Sequence, residues 1–329
     1  MTVYLDWSHY CDALAAAEQG DTSLRDLINW ISREHDLCMS FTHLMELANG
    51  GDTERVFKRA EWLDSLRCKW IKSKHDIEPL ESEAFLLTQL NGVPSTPSLF
   101  ASSFLSLFPT WTPENLSKAL SDPTVAHFCR NLHKTPAGDG LRERYRGQFL
   151  AQVERLASDR RSVIENGQEN DLAELKKKRL RAELTENLTA AHNRLATMHE
   201  SGYMEDSGVL ALPPNSESLK NAIGYAEVHP AALPLQSVAR FVVSNLADAA
   251  ARQTTGTGKF EKRHAGDFFD LNHLIGAAYC DVFTCDKRTS SYLGEYRVSV
   301  LSRRPQISSE TIGLPGLVRA IEEQLIGRG

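Results

Sequence analysis

Nowhere does the chain reach the roughly 18 uninterrupted apolar residues that a membrane-crossing helix needs, so no membrane span is expected. It shows no basic leader with a small-residue cleavage site, since Thr2-Val3-Tyr4-Leu5 is already strand-like, and export is not expected. The cysteines at 11, 38, 68, 129, 280 and 285 form no CxxC pair, and no histidine cluster has zinc spacing. A disulfide framework and a zinc ribbon are therefore excluded, and reduced thiols in a cytoplasmic protein fit best. Repeats and sustained heptads are absent as well, which excludes solenoids and coiled coils. Positive charge is in deficit, 37 Lys and Arg against 43 Asp and Glu, so the surface is not coated in cations. A local basic stripe, which is all that nucleic-acid binding requires, is still allowed.

What is present is the balance of an ordinary globular protein, 41% hydrophobic and 24% charged, over 329 residues. That length suggests one large domain with an insertion, or two domains. The first 80 residues alternate strand and helix patterns. Val3-Tyr4-Leu5 and Leu37-Cys38-Met39 read as short buried strands, and Trp70-Ile71 as a third. Leu24, Leu27, Ile28 and Ile31 give residues 23–32 a helical period, while Ser40 or Thr42 can cap a helix through Glu46 that stops at Asn49-Gly50-Gly51.

Residues 92–125 hold Pro94, Pro97, Pro109, Pro113 and Pro123 and read as irregular. From Leu141 to about Ser201 the pattern is helical and polar, with eleven Lys and Arg against seven Asp and Glu over residues 141–182. Further helices are predicted over 233–251, 267–279 and 314–326, and strands over 282–285 and 296–301. The resulting organisation is an α/β core of residues 1–80 and 225–305, a mostly helical insertion over 81–224, and a C-terminal helix in 306–329. Alternating strands and helices imply a mainly parallel sheet covered on both faces, whose ligands bind beyond the carboxyl ends of the strands.

Acidic residues fall at those ends. Asp6 follows the first strand, Asp286 follows Val282-Phe283-Thr284-Cys285, and Asp267 and Asp270 occupy the first turn of a helix. An Asp after a strand is commonly a turn former or helix cap, and each of these has that alternative. Converging carboxylates raise one another's pKa unless a cation lies between them, and hard oxygen ligands suit Mg²⁺ or Mn²⁺.

The segment Asp270-Leu271-Asn272-His273, continuing to Ala277-Ala278-Tyr279-Cys280-Asp281-Val282-Phe283-Thr284-Cys285-Asp286, resembles the last catalytic helix and following strand of PIN-domain nucleases. Val3-Tyr4-Leu5-Asp6 resembles their first strand, and Ser40-Phe41-Thr42-His43-Leu44-Met45-Glu46-Leu47 their second acidic motif. The resemblance spans residues 1–75 and 225–305 and leaves the middle uncovered. It implies a three-layer α/β/α PIN-like domain and a metal-dependent endoribonuclease whose four acids are Asp6, Glu46, Asp270 and Asp286. Mg²⁺ or Mn²⁺ would be the cofactor, with Asp267 and Asp281 as further candidate ligands, and RNA the favoured substrate over DNA. The alternatives are a DNA- or structure-specific nuclease of the same type and a PIN fold kept as an inactive binding module. A homo-oligomer or a regulatory protein partner stays open.

Lys259, Lys262 and Arg263 precede the acidic helix, where they could contact phosphate or form a solvated loop. His273 could orient an acid, contact phosphate, or simply pack. Gly256-Thr257-Gly258-Lys259 lacks the glycine and hydroxyl of a P-loop and is rejected as one. The run from Lys176 to Arg181 reads as an RNA-holding arm or a solvated helix face. Arg194 and His199 have the spacing of HEPN-type ribonucleases without further support. Trp7 could edge the acidic pocket or fill core.

Overall fold

The structure, a computed structural model, describes residues 1–48, 53–92, 94–101, 136–166, 169–201, 215–252, 267–285, 287–299, 306–309 and 318. Strand β1 (Thr2–Tyr4) leads into helix α1 (Trp7–Glu18), which starts where it does because Asp6 has an extended backbone and its Oδ1 accepts the Ser8 N–H at 2.9 Å. Helix α2 (Ser23–Glu34) precedes β2 (Asp36–Ser40), and α3 (Phe41–Ala48) follows with no intervening residue. Then come α4 (Thr53–Ser65), β3 (Cys68–Ile71) and α5 (Lys74–Asn91). Gly92 ends α5 at φ 65, the left-handed conformation that favours glycine.

The central helices are α6 (Pro136–Glu165), α7 (Glu169–Glu200) and α8 (Ser216–Val228), followed by α9 (Pro234–Arg252) and α10 (Asp267–Tyr279). Strand β4 (Val282–Cys285), α11 (Lys287–Ser299) and β5 (Gln306–Ser309) follow, and a short 3-10 helix, Pro230–Ala232, joins α8 to α9. Among the described residues no helix is long and apolar enough to cross a membrane.

One expected strand is corrected. Residues 296–299 of the predicted strand 296–301 lie in α11, because Leu293 and Tyr296, three residues apart, bury one helical face. Tyr296 packs on Phe241 of α9 with ring centroids 5.1 Å apart. The pairing strand is β5 instead, so the segment from 306, expected as a C-terminal helix, opens with an edge strand. Of the predicted helix over 314–326, only Val318 is described, and it is helical.

The sheet order is β3-β2-β1-β4-β5, with every pair parallel. Val3 is the register point of the centre, pairing with Leu37 on one side and Val282 on the other. The chain builds outward from β1 to β3, then returns to the far side of β1 for β4 and β5. The winding therefore reverses between β1 and β4, and in such sheets ligands bind at the carboxyl edge of that reversal.

Both faces are covered. Val3, Leu5, Leu37, Met39 and Val282 point into a cluster with α1, α2 and α4 residues such as Tyr10, Ile31 and Leu63. Their chain neighbours Tyr4, Cys38, Phe283 and Cys285 point the other way, into α9, α10 and α11. This alternation is the period-two geometry of strands, with both sides apolar because neither meets water. Gly276 of α10 lets that helix approach the sheet: a Cβ there would stand 2.6 Å from Tyr4 Cγ and from Phe283 Cδ2.

The helices of the central region do not stand apart. Phe149, Val153 and Ala157 of α6 join the same cluster as Tyr4 and Phe283, while α7 and α8 pack on α5 through Leu184, Leu188, Ile223 and Phe85. Glu81 of α5, 2% exposed, ties the layers. Its Oε1 accepts the Leu235 N–H at 2.7 Å and the Tyr279 O–H at 2.5 Å, and its Oε2 accepts the Gln236 N–H at 3.1 Å. One carboxylate thus caps the first turn of α9 and holds the last residue of α10. Burial pushes its pKa up to about 7, against the pull of these three donors.

Two predictions follow from this packing. Gly276→Ala should lower stability by about 1–3 kcal/mol in urea unfolding through overpacking, whereas Gly294→Ala, with no atom within 4 Å of the new Cβ, should not. The native state keeps the Glu81 proton to about pH 7, while the unfolded chain releases it near pH 4.3. Stability should therefore fall as pH rises between those values, by up to about 1.4 kcal/mol per pH unit. In Glu81→Gln that slope should be absent from the pH series of unfolding midpoints.

Candidate metal centre at the carboxyl edge of the sheet

Asp6 sits two residues beyond β1, at the edge where the winding reverses. Its backbone N–H donates to Thr284 Oγ1 of β4 at 2.6 Å, which binds the end of β1 to β4 across that reversal. Thr284 is fully buried, with His9 Nδ1 of α1 3.5 Å from the same hydroxyl. Glu46 is on α3, which leaves the same edge directly from β2. Helix α10 precedes the parallel strand β4 and begins at this edge, so the backbone of Asp267 and Asp270 enters there in its first turn. Asp286, the residue after β4, lies outside the described residues, as do the side chains of Asp267 and Asp270.

Beneath the edge runs a buried chain of hydrogen bonds. His273 Nε2 is 2.9 Å from Glu46 Oε2, His273 Nδ1 is 2.7 Å from the Tyr4 hydroxyl, and that hydroxyl is 2.7 Å from Ser40 Oγ. His43 continues it: the Ser40 N–H donates to His43 Nδ1 at 3.0 Å, and His43 Nε2 stands 2.8 Å from the Leu5 carbonyl.

The donors can be assigned from chemistry. An N–H into His43 Nδ1 makes that nitrogen an acceptor, so Nε2 carries the proton and donates to Leu5 O. Burial, reinforced by neighbouring His273, pushes the His43 pKa down to about 3, which keeps this ring neutral. At His273 the carboxylate only accepts, so Nε2–H donates to Glu46. The Nδ1 of a neutral His273 then accepts the Tyr4 O–H, and Ser40 donates its hydroxyl to Tyr4. Burial pushes the Tyr4 phenol well above its ordinary range, so it serves as a neutral donor. His273 is 3% exposed while the Glu46 side chain keeps 24%, so the carboxylate is gripped from below and open above.

This arrangement decides which atoms can hold a metal. Both nitrogens of His43 and of His273 are occupied within the protein, so neither ring is free to bind a metal, and Asp6 and Glu46 are oxygen donors of the type that suits Mg²⁺ or Mn²⁺. A ligating carboxylate steadied by a partner behind it is the pattern of metal sites generally. Among the described residues no three His, Cys, Asp or Glu side chains stand together in a metal-holding group. Asp6 and Glu46 are the described half of the expected four-acid set.

Several sequence expectations change. Asp281 is not at this edge: it precedes β4 at the amino end, 6% exposed, where its Oδ2 accepts the Thr2 N–H at 2.7 Å and the Thr2 O–H at 2.9 Å. It locks the start of β1 to β4 and is removed from the ligand candidates. His273 grips Glu46 rather than facing phosphate. Trp7 is core, 9% exposed and stacked on Tyr10.

In the basic run, Lys176 pairs with Asp248 at 2.7 Å, Arg179 with Asp159, and Arg181 with Glu227 at 3.4 Å. These residues fasten α7 to its neighbours. Arg194 is likewise engaged, with Glu83 of α5 at 2.5 Å. Lys259, Lys262 and Arg263 lie outside the described residues. The residues missed from sequence are Tyr4, Ser40, His43 and Thr284. Tyr4 reads as one more apolar strand residue, and only the close succession of Ser40 and His43 hinted at a local bond.

Comparison with family models, curated proteins and solved structures finds no match. Tyr4→Phe should cost about 1–3 kcal/mol of stability in urea unfolding, because it strands the buried His273 Nδ1 acceptor, while Ser40 Oγ keeps His43 Nδ1 at 3.3 Å. An unchanged midpoint would show that the chain beneath Glu46 carries no structural weight.

Proposed function

We propose that this chain is a metal-dependent nuclease that hydrolyses RNA phosphodiester bonds, with Asp6, Glu46, Asp270 and Asp286 holding Mg²⁺ or Mn²⁺. The observation that carries the reading is that Asp6 and Glu46 both follow strands at the carboxyl edge of the parallel sheet, with Glu46 bonded to His273 of the helix that enters from the same edge. The grip of His273 on Glu46 leaves oxygen as the donor. The resemblance of residues 1–75 and 225–305 to PIN-domain nucleases supplies the other two acids and the preference for RNA.

When bound, such an ion lowers the pKa of a water and offsets negative charge on the phosphoryl oxygens. The protein's share is orientation. Asp6 is held at a helix start by the Ser8 N–H bond and by its own N–H bond to Thr284. Glu46 cannot swing away without breaking its bond to His273, whose ring is fixed in turn by Tyr4. Neutral His43 points at a backbone carbonyl and takes no proton from a substrate. In this reading His43 is not the base for in-line attack on phosphorus, and the leaving 3′ oxygen takes its proton from solvent.

The test is digestion of matched single-stranded RNA and DNA in Mn²⁺, Mg²⁺ or EDTA by the wild type, Asp6→Asn, Glu46→Gln and Asp270→Asn. RNA should be cut with either metal and not in EDTA, and each substitution should slow cutting on the order of 100-fold or more. Equal cleavage by wild type and Asp270→Asn would sink the reading. Preference for the DNA strand would move the substrate to the rival class, and a chain inert in Mn²⁺ would leave a binding module.

A further inference from the structure

A second feature lies along α1, on the side of the sheet opposite α10. Between α1, α2 and α4 is a cleft of about 550 Å³, within the range of roughly 300–1,000 Å³ usual for ligand clefts. Its lining carries four cations, Arg25, Arg55, Lys58 and Arg59, against two carboxylates, Glu18 and Glu61. Lys58 is engaged with Glu54 at 2.8 Å, and Arg25 lies 5.7 Å from the centre of the Trp62 ring. No carboxylate among the described residues pairs with Arg55 or Arg59. In this Arg55 and Arg59 differ from Lys176, Arg179 and Arg181 of α7, which are paired within the protein.

The cleft is also in the right place. Its near end is Cys11, five residues past Asp6 on the same helix, which at 1.5 Å per residue is about 8 Å along the axis. The cleft then follows α1 to Glu18. Cys11 senses the same neighbourhood: its thiol is pushed up by burial and more weakly by Asp12, Glu46 and Asp6, while the Arg59 guanidinium opposes them. Arg59 and the two candidate metal ligands therefore act on one sulfur.

A row of carboxylates repels a polyanion, and a metal ion covers only the phosphate being cut. Cations must hold the flanking phosphates, and in a chain with net charge −6 they must be local. We propose that the cleft between α1 and α4 binds the sugar–phosphate backbone of the single-stranded nucleic acid flanking the scissile bond, through Arg55 and Arg59. The proposal rests on the nuclease reading of the acidic site, and it assigns the path of the strand on one side of that site. Trp62, 5% exposed with its Nε1–H given to Asn29 at 3.0 Å, braces the wall and is not a base platform.

The experiment is fluorescence anisotropy of the full chain with a short labelled single-stranded RNA over a range of salt concentrations, with Ca²⁺ replacing Mg²⁺ so that the strand is not consumed. Losing two phosphate contacts in Arg55→Ala/Arg59→Ala should flatten the slope of log affinity against log salt by about 1.4 and weaken binding on the order of tenfold at low salt. Arg55→Lys/Arg59→Lys should keep the slope. Arg155→Ala, at an exposed cation on α6, should bind like the wild type. Matching unfolding midpoints establish that the variants fold. A double alanine variant that binds like wild type overturns the proposal, as does an equal loss in Arg155→Ala. The two readings separate cleanly: cleavage in Mn²⁺ with an unchanged slope removes the cleft alone. A changed slope without cleavage removes the nuclease and leaves the cleft as a nucleic-acid-binding surface.

Discussion

The bond from His273 to Glu46 is the interaction on which the carboxyl edge depends. A carboxylate beside a sheet buried on both faces loses hydration on its inner side, and it stays useful only if a donor replaces that water without neutralising it. His273 does so from the second turn of α10, and the Tyr4 phenol behind it does the same for the ring. Tyr4 lies on the central strand and is fully buried, so the orientation of a surface carboxylate is set from the core of the fold. Gly276 belongs to the same device, since it brings α10 close enough for His273 to reach Tyr4.

The central helices bear on this edge through packing. Helix α6 shares its apolar cluster with α9 and the sheet, and Glu81 joins α5 to the start of α9 and the end of α10. The region expected as a mostly helical insertion is, over its described helices, part of the scaffold that fixes the far end of the helix carrying His273. The ion pairs of Arg160 with Asp248 and of Lys176 with the same Asp248 fasten α6 and α7 to α9. Several charges of this region are thus spent on internal contacts, while Arg55 and Arg59 of α4 pair with no carboxylate among the described residues.

Much of the fold was legible. Short apolar runs such as Val3-Tyr4-Leu5 and Leu37-Cys38-Met39 are strands, and Asp6 and Glu46 follow the first two strands as expected. Helix α1 was missed because its Ala-rich sequence spreads apolar residues around the axis rather than along a stripe. The strand expected from Tyr296 was a helix because burial of Leu293 and Tyr296 on α9 outweighed the β-branched run after them. Strand β5, Gln306-Ile307-Ser308-Ser309, has little apolar signal and is strand because β4 offers it a pairing edge.

By itself the sequence determined which residue types meet the solvent edge, because the positions of acids after apolar runs depend only on local periodicity and on strands ending where burial ends. It could not determine what stands behind them. His273 lies 227 positions from Glu46 and 269 from Tyr4 in sequence, and only parallel pairing and the close approach at Gly276 bring the three together. The same limit governed Asp281 and Asp6. Both read as strand-flanking acids, and only the direction of β1 and β4 in the sheet placed one at the amino edge, bonded to Thr2, and the other at the carboxyl edge.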